Sequence, residues 1–463
     1  MRIAYYSDFL GLSRTKNIVD APQVTFQKLD NLIPNRVKGA LVPRPGSTTW
    51  STTGTVYGIG TFSKESASYL VPNVEYVLRH RRNGGTSTID KLDWGTSTWS
   101  AITLGASTSF GISGITTFAQ IDQIQCICGG RPAYLTDPTS GSINRLGGPA
   151  PLTAPTWGTS AGSLTGQTYG CYTFYDSTTG WESSPSPLTS LTAVSSNQID
   201  WSALETTCDK EGVNKKRLYR TQVASEGEGL MYRVAEINLA TTTYSDNVDD
   251  SLLTSASPTL GDHDAPPTSA YLCIAYANRF WIADGNELYY SLPYDGSVSS
   301  LQYFSQERVF RFPGRITGLA YTPDFGRLLV FLPVGKGVHY IGGRSEETFE
   351  QDIFKATEGT NFPSSIATHE EMVSYWGANG PTIITPGGVV TDFAEDLKEQ
   401  FRDLATKEYN SEVFIWSVWH PVLECFIWGF SATDSATSQW ADAVTDSEAL
   451  WQDPSTLTDV EWQ

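Results

Sequence analysis

Apolar and aromatic residues in this chain fall in short runs separated by Asn-, Asp- and Gly-bearing breaks, and the runs recur in pairs. The clearest pair is Ala270-Tyr-Leu-Cys-Ile-Ala-Tyr276, a break at Ala277-Asn278, then Arg279-Phe-Trp-Ile-Ala283. A second break at Asp284-Gly285-Asn286 leads into Glu287-Leu-Tyr-Tyr-Ser291. β-branched and aromatic runs meeting at such turns predict antiparallel hairpins. The layout returns at Ile316-Thr-Gly-Leu-Ala-Tyr321, turning through Asp324-Phe-Gly326 into Arg327-Leu-Leu-Val-Phe-Leu332 and then Val338-His-Tyr-Ile341. It returns again from Ile366 through Met372-Val-Ser-Tyr-Trp376 and Thr382-Ile-Ile-Thr385. A further copy runs from Val413-Phe-Ile-Trp-Ser-Val-Trp419 through His420-Pro421 to Cys425-Phe-Ile-Trp428. Upstream, Ile115-Thr-Thr-Phe-Ala-Gln120 leads to Gln125-Cys-Ile-Cys128 and Ala133-Tyr-Leu-Thr136, and a weaker copy begins near Val56.

Starts at 270, 316, 366 and 413 lie 46, 50 and 47 residues apart, whereas 115 to 270 is one repeat plus a long surplus. Hairpin-rich repeats of roughly 40–50 residues are the mark of a β-propeller. The predicted fold class is therefore all-β, a degenerate propeller of about six hairpin repeats, with a β-sandwich assembly as the alternative. The surplus reads as an inserted domain, residues 151–265, punctuated by Pro149-Ala-Pro151 and Pro155 at its start and by Asp264-Ala-Pro266-Pro267 at its end. Within it, Thr168–Tyr175 alternates as a half-buried strand; Lys216–Thr221, Met231–Ile237 and Thr241–Asp246 supply further strands. Strands at that spacing fit an Ig- or fibronectin-III-like sandwich. The remaining divisions are 1–150, the N-terminal segment with the first repeats, 266–430, the later repeats, and 431–463, a C-terminal arm. Apolar residues at 393, 397, 401 and 404 predict one helix over 391–404, capped by Thr391 or Asp392. The arm is Ser/Thr/Asp-rich with isolated Trp440, Trp451 and Trp462, and reads as an extended segment that anchors on another surface.

Composition narrows the function classes. With 463 residues, 40% of them hydrophobic and 12% aromatic, the chain can bury cores for two or three domains and is not low-complexity disorder. The net charge of −19 lacks the basic face of a free-standing DNA-binding protein. An acidic surface suits a conduit through which DNA passes without sticking, and equally suits plain solubility. Six cysteines (126, 128, 171, 208, 273 and 425) are too sparse for a disulfide scaffold. Cys126 and Cys128, two apart, share one strand face and read as small buried apolar groups in reduced form. No apolar run approaches the roughly 18 residues of a membrane span, and Met1–Asp8 has no signal-peptide core; a soluble, non-secreted protein is expected.

Candidate chemistry is thin, and the expectation is no enzyme, no cofactor and no metal. Gly158-Thr-Ser160-Ala-Gly162 matches a nucleophile-elbow pattern but sits in what reads as a linker, without the strand and helix such an elbow needs. The five histidines (80, 263, 339, 369 and 420) show no metal-ligand spacing, and His369-Glu370-Glu371 lacks a second histidine. Val334-Gly-Lys336-Gly337 lacks the leading glycine and the hydroxyl ligand of a phosphate loop and reads as a hairpin turn. Asp249-Asp250 and Glu346-Glu347 are adjacent pairs, and linear sequence cannot place them across a cleft. Arg79-His80-Arg81-Arg82 is the one basic cluster; a solvated hairpin tip is the expected reading, with phosphate contact as the alternative.

Three stretches carry a family resemblance. They are Asn31-Leu-Ile-Pro-Asn-Arg-Val-Lys-Gly39-Ala-Leu-Val-Pro-Arg44-Pro-Gly46, then Gly180-Trp-Glu-Ser-Ser-Pro-Ser-Pro187 with Arg217-Leu-Tyr-Arg-Thr221, and Asn278-Arg-Phe-Trp-Ile-Ala-Asp-Gly-Asn286 running on to Ser291-Leu-Pro293. In order and spacing the sequence resembles the tail nozzle (tail-tube) proteins of short-tailed bacteriophages, over roughly residues 25–390. The resemblance implies a virion structural protein: a homo-oligomer, a hexamer ring under the head-to-tail adaptor, conducting DNA during genome ejection. It implies docking surfaces for a tail needle or plug and for tailspikes or fibres, and assembly in the bacterial cytoplasm. A receptor-binding tail protein and a glycan-cleaving propeller enzyme remain the alternatives.

Overall fold

The computed structural model describes residues 56–64, 75–83, 85–92, 98–110, 115–224, 229–253, 263–323, 325–354 and 358–385 in full, and the backbone at 55, 74, 93 and 225. It also describes the strands at 11–12, 25–26, 32–34, 41–43, 390–392, 413–420 and 425–432. The fold is all-β, a succession of small, mostly antiparallel sheets, and helical structure among the described residues is confined to 3₁₀ turns. By contact the chain divides into two compact units, Gly54–Arg311 and a second formed by Met1–Thr53 with Phe312–Gln463.

Two short pairs open the chain: β1 (Gly11–Leu12) with β2 (Thr25–Phe26), and β3 (Leu32–Pro34) with β4 (Leu41–Pro43). The Gly54–Arg311 unit then begins with β5 (Thr55–Lys64), β6 (Val74–Asn83), β7 (Thr86–Asp93) and β8 (Thr98–Ala101), a four-stranded meander in sequence order. A second meander follows: β9 (Thr117–Ile121), β10 (Ile124–Cys128), β11 (Ala133–Leu135) and β12 (Asn144–Arg145). Next come six strands in two three-stranded sheets. β13 (Thr156–Thr168), β15 (Thr192–Ser202) and β18 (Tyr244–Asp246) form one, in the order β13-β15-β18. β14 (Gly170–Tyr175), β16 (Lys215–Arg220) and β17 (Tyr232–Asn238) form the other, in the order β14-β16-β17. The unit closes with a third meander, β19 (Leu272–Tyr276), β20 (Arg279–Asp284), β21 (Glu287–Tyr290) and β22 (Val309–Arg311).

The Phe312–Gln463 segment supplies two more meanders. The first is β23 (Gly318–Ala320), β24 (Leu328–Phe331), β25 (Val338–Gly342) and β26 (Glu350–Ile353). The second is β27 (Ala367–His369), β28 (Met372–Gly377), β29 (Gly380–Ile384) and β30 (Val390–Asp392). A hairpin of β31 (Val413–His420) and β32 (Cys425–Ala432) ends the described chain.

Burial explains why the central strands read as continuous apolar runs. All five residues of β10 and all four of β24 are buried, while β26 at its sheet's edge is exposed along its length. β10 is covered on both faces. Ile127 joins Phe62, Leu78, Ile89 and Phe110 in a core shared with the first meander, and Cys126 and Cys128 join Phe280, Ile282 and Leu301 in a core shared with the third. A two-sided strand has no polar face to alternate with. Close approach of the first two meanders needs glycine: a Cβ on Gly58 would stand 2.0 Å from the Thr116 carbonyl oxygen. The last two meanders share a core of Leu329, Phe331 and Val338 against Val373, Tyr375 and Ile384.

The first hairpins of three meanders close through equally short loops, with both residues left-handed only in Ala277-Asn278. The two-residue loops Asp122-Gln123, Ala277-Asn278 and Glu370-Glu371 each begin with a non-glycine residue at positive φ (50°, 50° and 48°). That is the backbone that matches the right-handed twist of the flanking strands.

Four expectations are corrected. Gly158–Gly162 is no linker but the middle of β13, where threonine and serine alternate between exposed and half-buried positions. Thr168–Tyr175 is not a half-buried strand: β13 ends at Thr168, and β14 is buried along almost its whole length because it lies between β16 and the 183–189 segment. That segment bonds its edge from Ser183 N–H to Phe174 O and from Ser186 N–H to Tyr172 O. Arg79–Arg82 is no hairpin tip, since it lies within β6. The expected helix start, Thr391 and Asp392, ends a strand, and 393–404 lies outside the described residues, as does the arm from 433.

Candidate functional site

The polar residues singled out in the sequence are dispersed, and most are held by structural partners. Ser160 donates from Oγ to Asp200 Oδ2 at 2.5 Å and accepts from Gln198 Nε2 at 2.8 Å. In the middle of an extended strand it has no elbow geometry. Arg79 and Arg81 point to one face of β6 and converge on Asp90 Oδ2 at 3.0 and 2.5 Å. Arg79 also lies over the Trp99 ring at 4.0 Å. His80, on the opposite face, is buried between Tyr57 and Phe110 with Nδ1 2.7 Å from Thr116 Oγ1. Burial lowers its pKa to about 4, so the ring is neutral. Two arginines in a strand need a buried acid, and Asp90 was the signal that the sequence reading did not use.

Asp249 caps a 3₁₀ turn through Ser251 N–H, and Asp250 accepts from Arg220 at 2.9 Å. Glu346 and Glu347 lie on an exposed 3₁₀ turn. Val334–Gly337 forms the turn between β24 and β25, with Lys336 Nζ bonded to Pro313 O at 3.0 Å. His369 stacks on Trp419 at 3.7 Å. A cleft of about 330 Å³ opens where the six-strand segment ends, lined by Asp264, Pro267, Tyr289, Phe304 and Arg311 among others. Asp264 accepts from Ser184 Oγ and Arg311 from its side pairs with Glu287, both at 2.7 Å. The hydroxyl of Tyr289, on the cleft wall, donates to the same Glu287 carboxylate.

Two constellations were not foreseen. The first is a charged seam fastening the six-strand segment to the second meander. Asp209 Oδ2 accepts from Arg131 at 2.8 Å and Arg145 at 2.9 Å. Glu211 accepts from the backbone N–H of Arg145 and of Ser107 at 3.0 and 2.5 Å. Between them, buried Lys210 donates to Arg145 O at 3.1 Å and stands over the Trp181 ring at 5.0 Å. Desolvation lowers its pKa to about 8. The run Asp209-Lys-Glu211 in the sequence carries the signal, but its partners lie more than sixty residues away.

The second is a thiol cluster. Cys126 and Cys128 share a face of β10 as expected, and Cys273 from β19 joins them, all three sulfurs lying within 4.8 Å of one another. Burial in an apolar core raises the thiol pKa of Cys126 and of Cys128. Had the repeats been aligned, β10 and β19 would have fallen in consecutive meanders, which is the signal for this meeting.

No family model matches this chain, and no curated protein does. Among solved structures it is similar to a puromycin hydrolase mutant complexed with PGG, at 10% identity and a TM-score of 0.18, over 77% of this chain and 56% of that one. The chain thus spans little more than half the length of that protein, and a likeness at this level assigns neither fold nor activity. Among the described residues no helix is long and apolar enough to cross a membrane.

Proposed function

We propose that the chain is a non-enzymatic structural subunit of a short-tailed bacteriophage virion, the tail nozzle that extends the head-to-tail adaptor. In this reading the five four-stranded meanders and the β31–β32 hairpin are six blades of a degenerate propeller. Each four-stranded sheet keeps sequence order, and consecutive meanders within a unit share apolar cores, as blades do. The six-strand segment is an Ig-like sandwich: β13 with β15, and β14 with β16 and β17, repeat the B–E and C–F–G pairings of that fold. Six copies form a closed ring, and DNA leaves through a bore that the −19 charge keeps non-adhesive. The inserted sandwich and the arm serve as docking surfaces for needle or plug and for tailspikes or fibres.

The observation that carries this reading is the order of the parts: two meanders, a two-sheet insert, then three more meanders, with one resembling motif ahead of the first meander, one in the insert and one just after it. The test is to image the purified chain by negative-stain electron microscopy, with mass photometry alongside. Rings of six around a bore, alone or on adding the adaptor, are expected. Compact monomers that never assemble but hydrolyse or bind bacterial surface glycans would overturn the reading.

A further inference from the structure

Three of the five cysteines with described side chains meet at one point in the core of the Gly54–Arg311 unit. Cys126 and Cys128 project from one face of β10, with their sulfurs 4.0 Å apart. Cys273 reaches them from β19, across 147 residues of sequence that include the whole six-strand insert. Relative exposures are 0%, 0% and 6%, and the surroundings are Ala119, Ile121, Tyr134, Ala270 and Phe280. Reduced thiols in an apolar core need no such meeting; alanine or valine would fill the same space.

The spacing has a chemical reading. Thiolate–metal bonds of about 2.3 Å in a planar, three-coordinate arrangement place the sulfurs about 4.0 Å apart. Soft sulfur ligands select soft ions such as Cu(I) and Zn(II). Zinc in a closed protein site takes four ligands, and among the described residues no carboxylate or imidazole joins these three sulfurs. Three sulfurs without a fourth donor suit Cu(I). Thr117 completes the setting: its Oγ1 accepts the Cys273 backbone N–H at 2.7 Å and can donate to Cys273 Sγ at 3.5 Å. A hydroxyl donor at that place orients and stabilises a ligating thiolate.

We propose that Cys126, Cys128 and Cys273 form a three-thiolate site for a single Cu(I) ion, which staples the second meander to the third across the insert. Each ligating thiol forms one S–Cu bond and releases one proton to solvent; no atom changes oxidation state. Because the site exists only when β10 and β19 are assembled, binding stabilises the folded unit.

The full-length chain, reduced and kept free of oxygen, is offered Cu(I) held by the coloured chelator bathocuproine disulfonate. A second sample is refolded in the same mixture, so that a core closed to entry is still loaded. The expected result is one Cu(I) drawn from the chelator per chain, a raised unfolding temperature, and an X-ray absorption spectrum showing three sulfurs at about 2.3 Å. Cys273→Ala and Cys126→Ala, checked for folding by circular dichroism, lose the ion. Cys171→Ala and Cys208→Ala, at thiols outside the cluster, keep it. Folded chain that takes no copper in either sample overturns the proposal and leaves three close-packed thiols. So does copper retained by Cys273→Ala, or uptake of Zn(II) in preference to Cu(I) when each is offered alone.

Discussion

The six-strand insert and the pair of meanders β23–β26 and β27–β30 both bury aromatic and aliphatic cores, but they are fixed by different chemistry. In the insert, Arg220 and Asp246 are both fully buried, joined at 2.7 Å. Arg220 reaches Asp250 and the Val248 carbonyl as well, and Asp246 accepts the Val248 N–H at 2.9 Å. Nearby, Glu182 gathers Thr173, Tyr219 and Arg217, the last also held by Glu236 at 3.1 Å. Lys216, buried, ties two loops through the carbonyls of Glu205 and Thr241. The meander pair instead joins two faces of Leu, Phe, Val, Ile and Tyr, with the neutral Ser417 hydroxyl donating to the Ser365 carbonyl and meeting the Ser374 hydroxyl. Directional charge networks define one arrangement of strands and loops. Apolar sheet faces can be stacked repeatedly with little sequence in common, and this is why the meanders repeat so loosely.

The sharpest way to break the comparison is to remove one member of the buried pair. Asp246→Ala leaves the Arg220 Nε without its buried acid, with Asp250 and the Val248 carbonyl still holding the guanidinium, and is expected to cost up to about 3–5 kcal/mol, read by urea unfolding with tryptophan fluorescence. The double substitution Arg220→Met with Asp246→Leu should recover most of that loss, since desolvation of the two charges disappears along with their attraction. If the double variant is as unstable as the single one, the network supplies stability and not arrangement alone.

In the meanders the expected pattern is the reverse. Leu329→Ala opens a cavity between β24 and its neighbouring sheet and should cost about 2–5 kcal/mol, whereas Leu329→Met should cost less than about 1.5. Tolerance of shape with intolerance of lost volume would mark an apolar interface. A large penalty for the methionine variant would show that these faces are as specific as the insert.

His80 tests whether the first meander follows the apolar rule despite its basic strand. Its folded pKa of about 4 lies below the unfolded value near 6.5. As pH falls from 6.5 towards 4 the unfolded chain takes up a proton that the folded chain refuses, so stability falls across that window, by about 3 kcal/mol at most. His80→Phe should remove this part of the acid sensitivity. The measurement is the difference in unfolding free energy between wild type and variant at pH 7 and at pH 4.5; a difference independent of pH refutes the assignment.

The contrast also explains what was legible in the sequence. Hairpins were readable because Asn-, Asp- and Gly-bearing turns and aromatic runs are local signals, and the four-stranded sheets follow from them at almost the spacing expected. The buried charges were not readable. Arg220 pairs with Asp246 and Arg145 with Asp209 over 26 and 64 residues, and nothing local distinguishes these residues from solvated ones. Arg79–Arg82 was misplaced for the same reason: a basic run looks like surface until the acid that neutralises it is found on the next strand. Ser160 showed the opposite failure, a motif match whose backbone, an extended strand, cannot supply the chemistry.

The smallest effect concerns the turns, where the meanders carry their own specification. Ala277 adopts φ 50° and Asn278 φ 59° between β19 and β20. Alanine in the left-handed region costs roughly 1–2 kcal/mol, and glycine avoids this while losing about 0.5–1 kcal/mol of unfolded-chain entropy. Ala277→Gly should therefore stabilise by about 0.5 kcal/mol, visible as a small upward shift of the unfolding midpoint. The same change at Ala275, within β19, should destabilise, because there the backbone is extended and glycine brings only its entropy. If both substitutions destabilise equally, the turn is not strained, and register in this hairpin is set by the Phe280 and Ile282 side of β20 rather than by the loop.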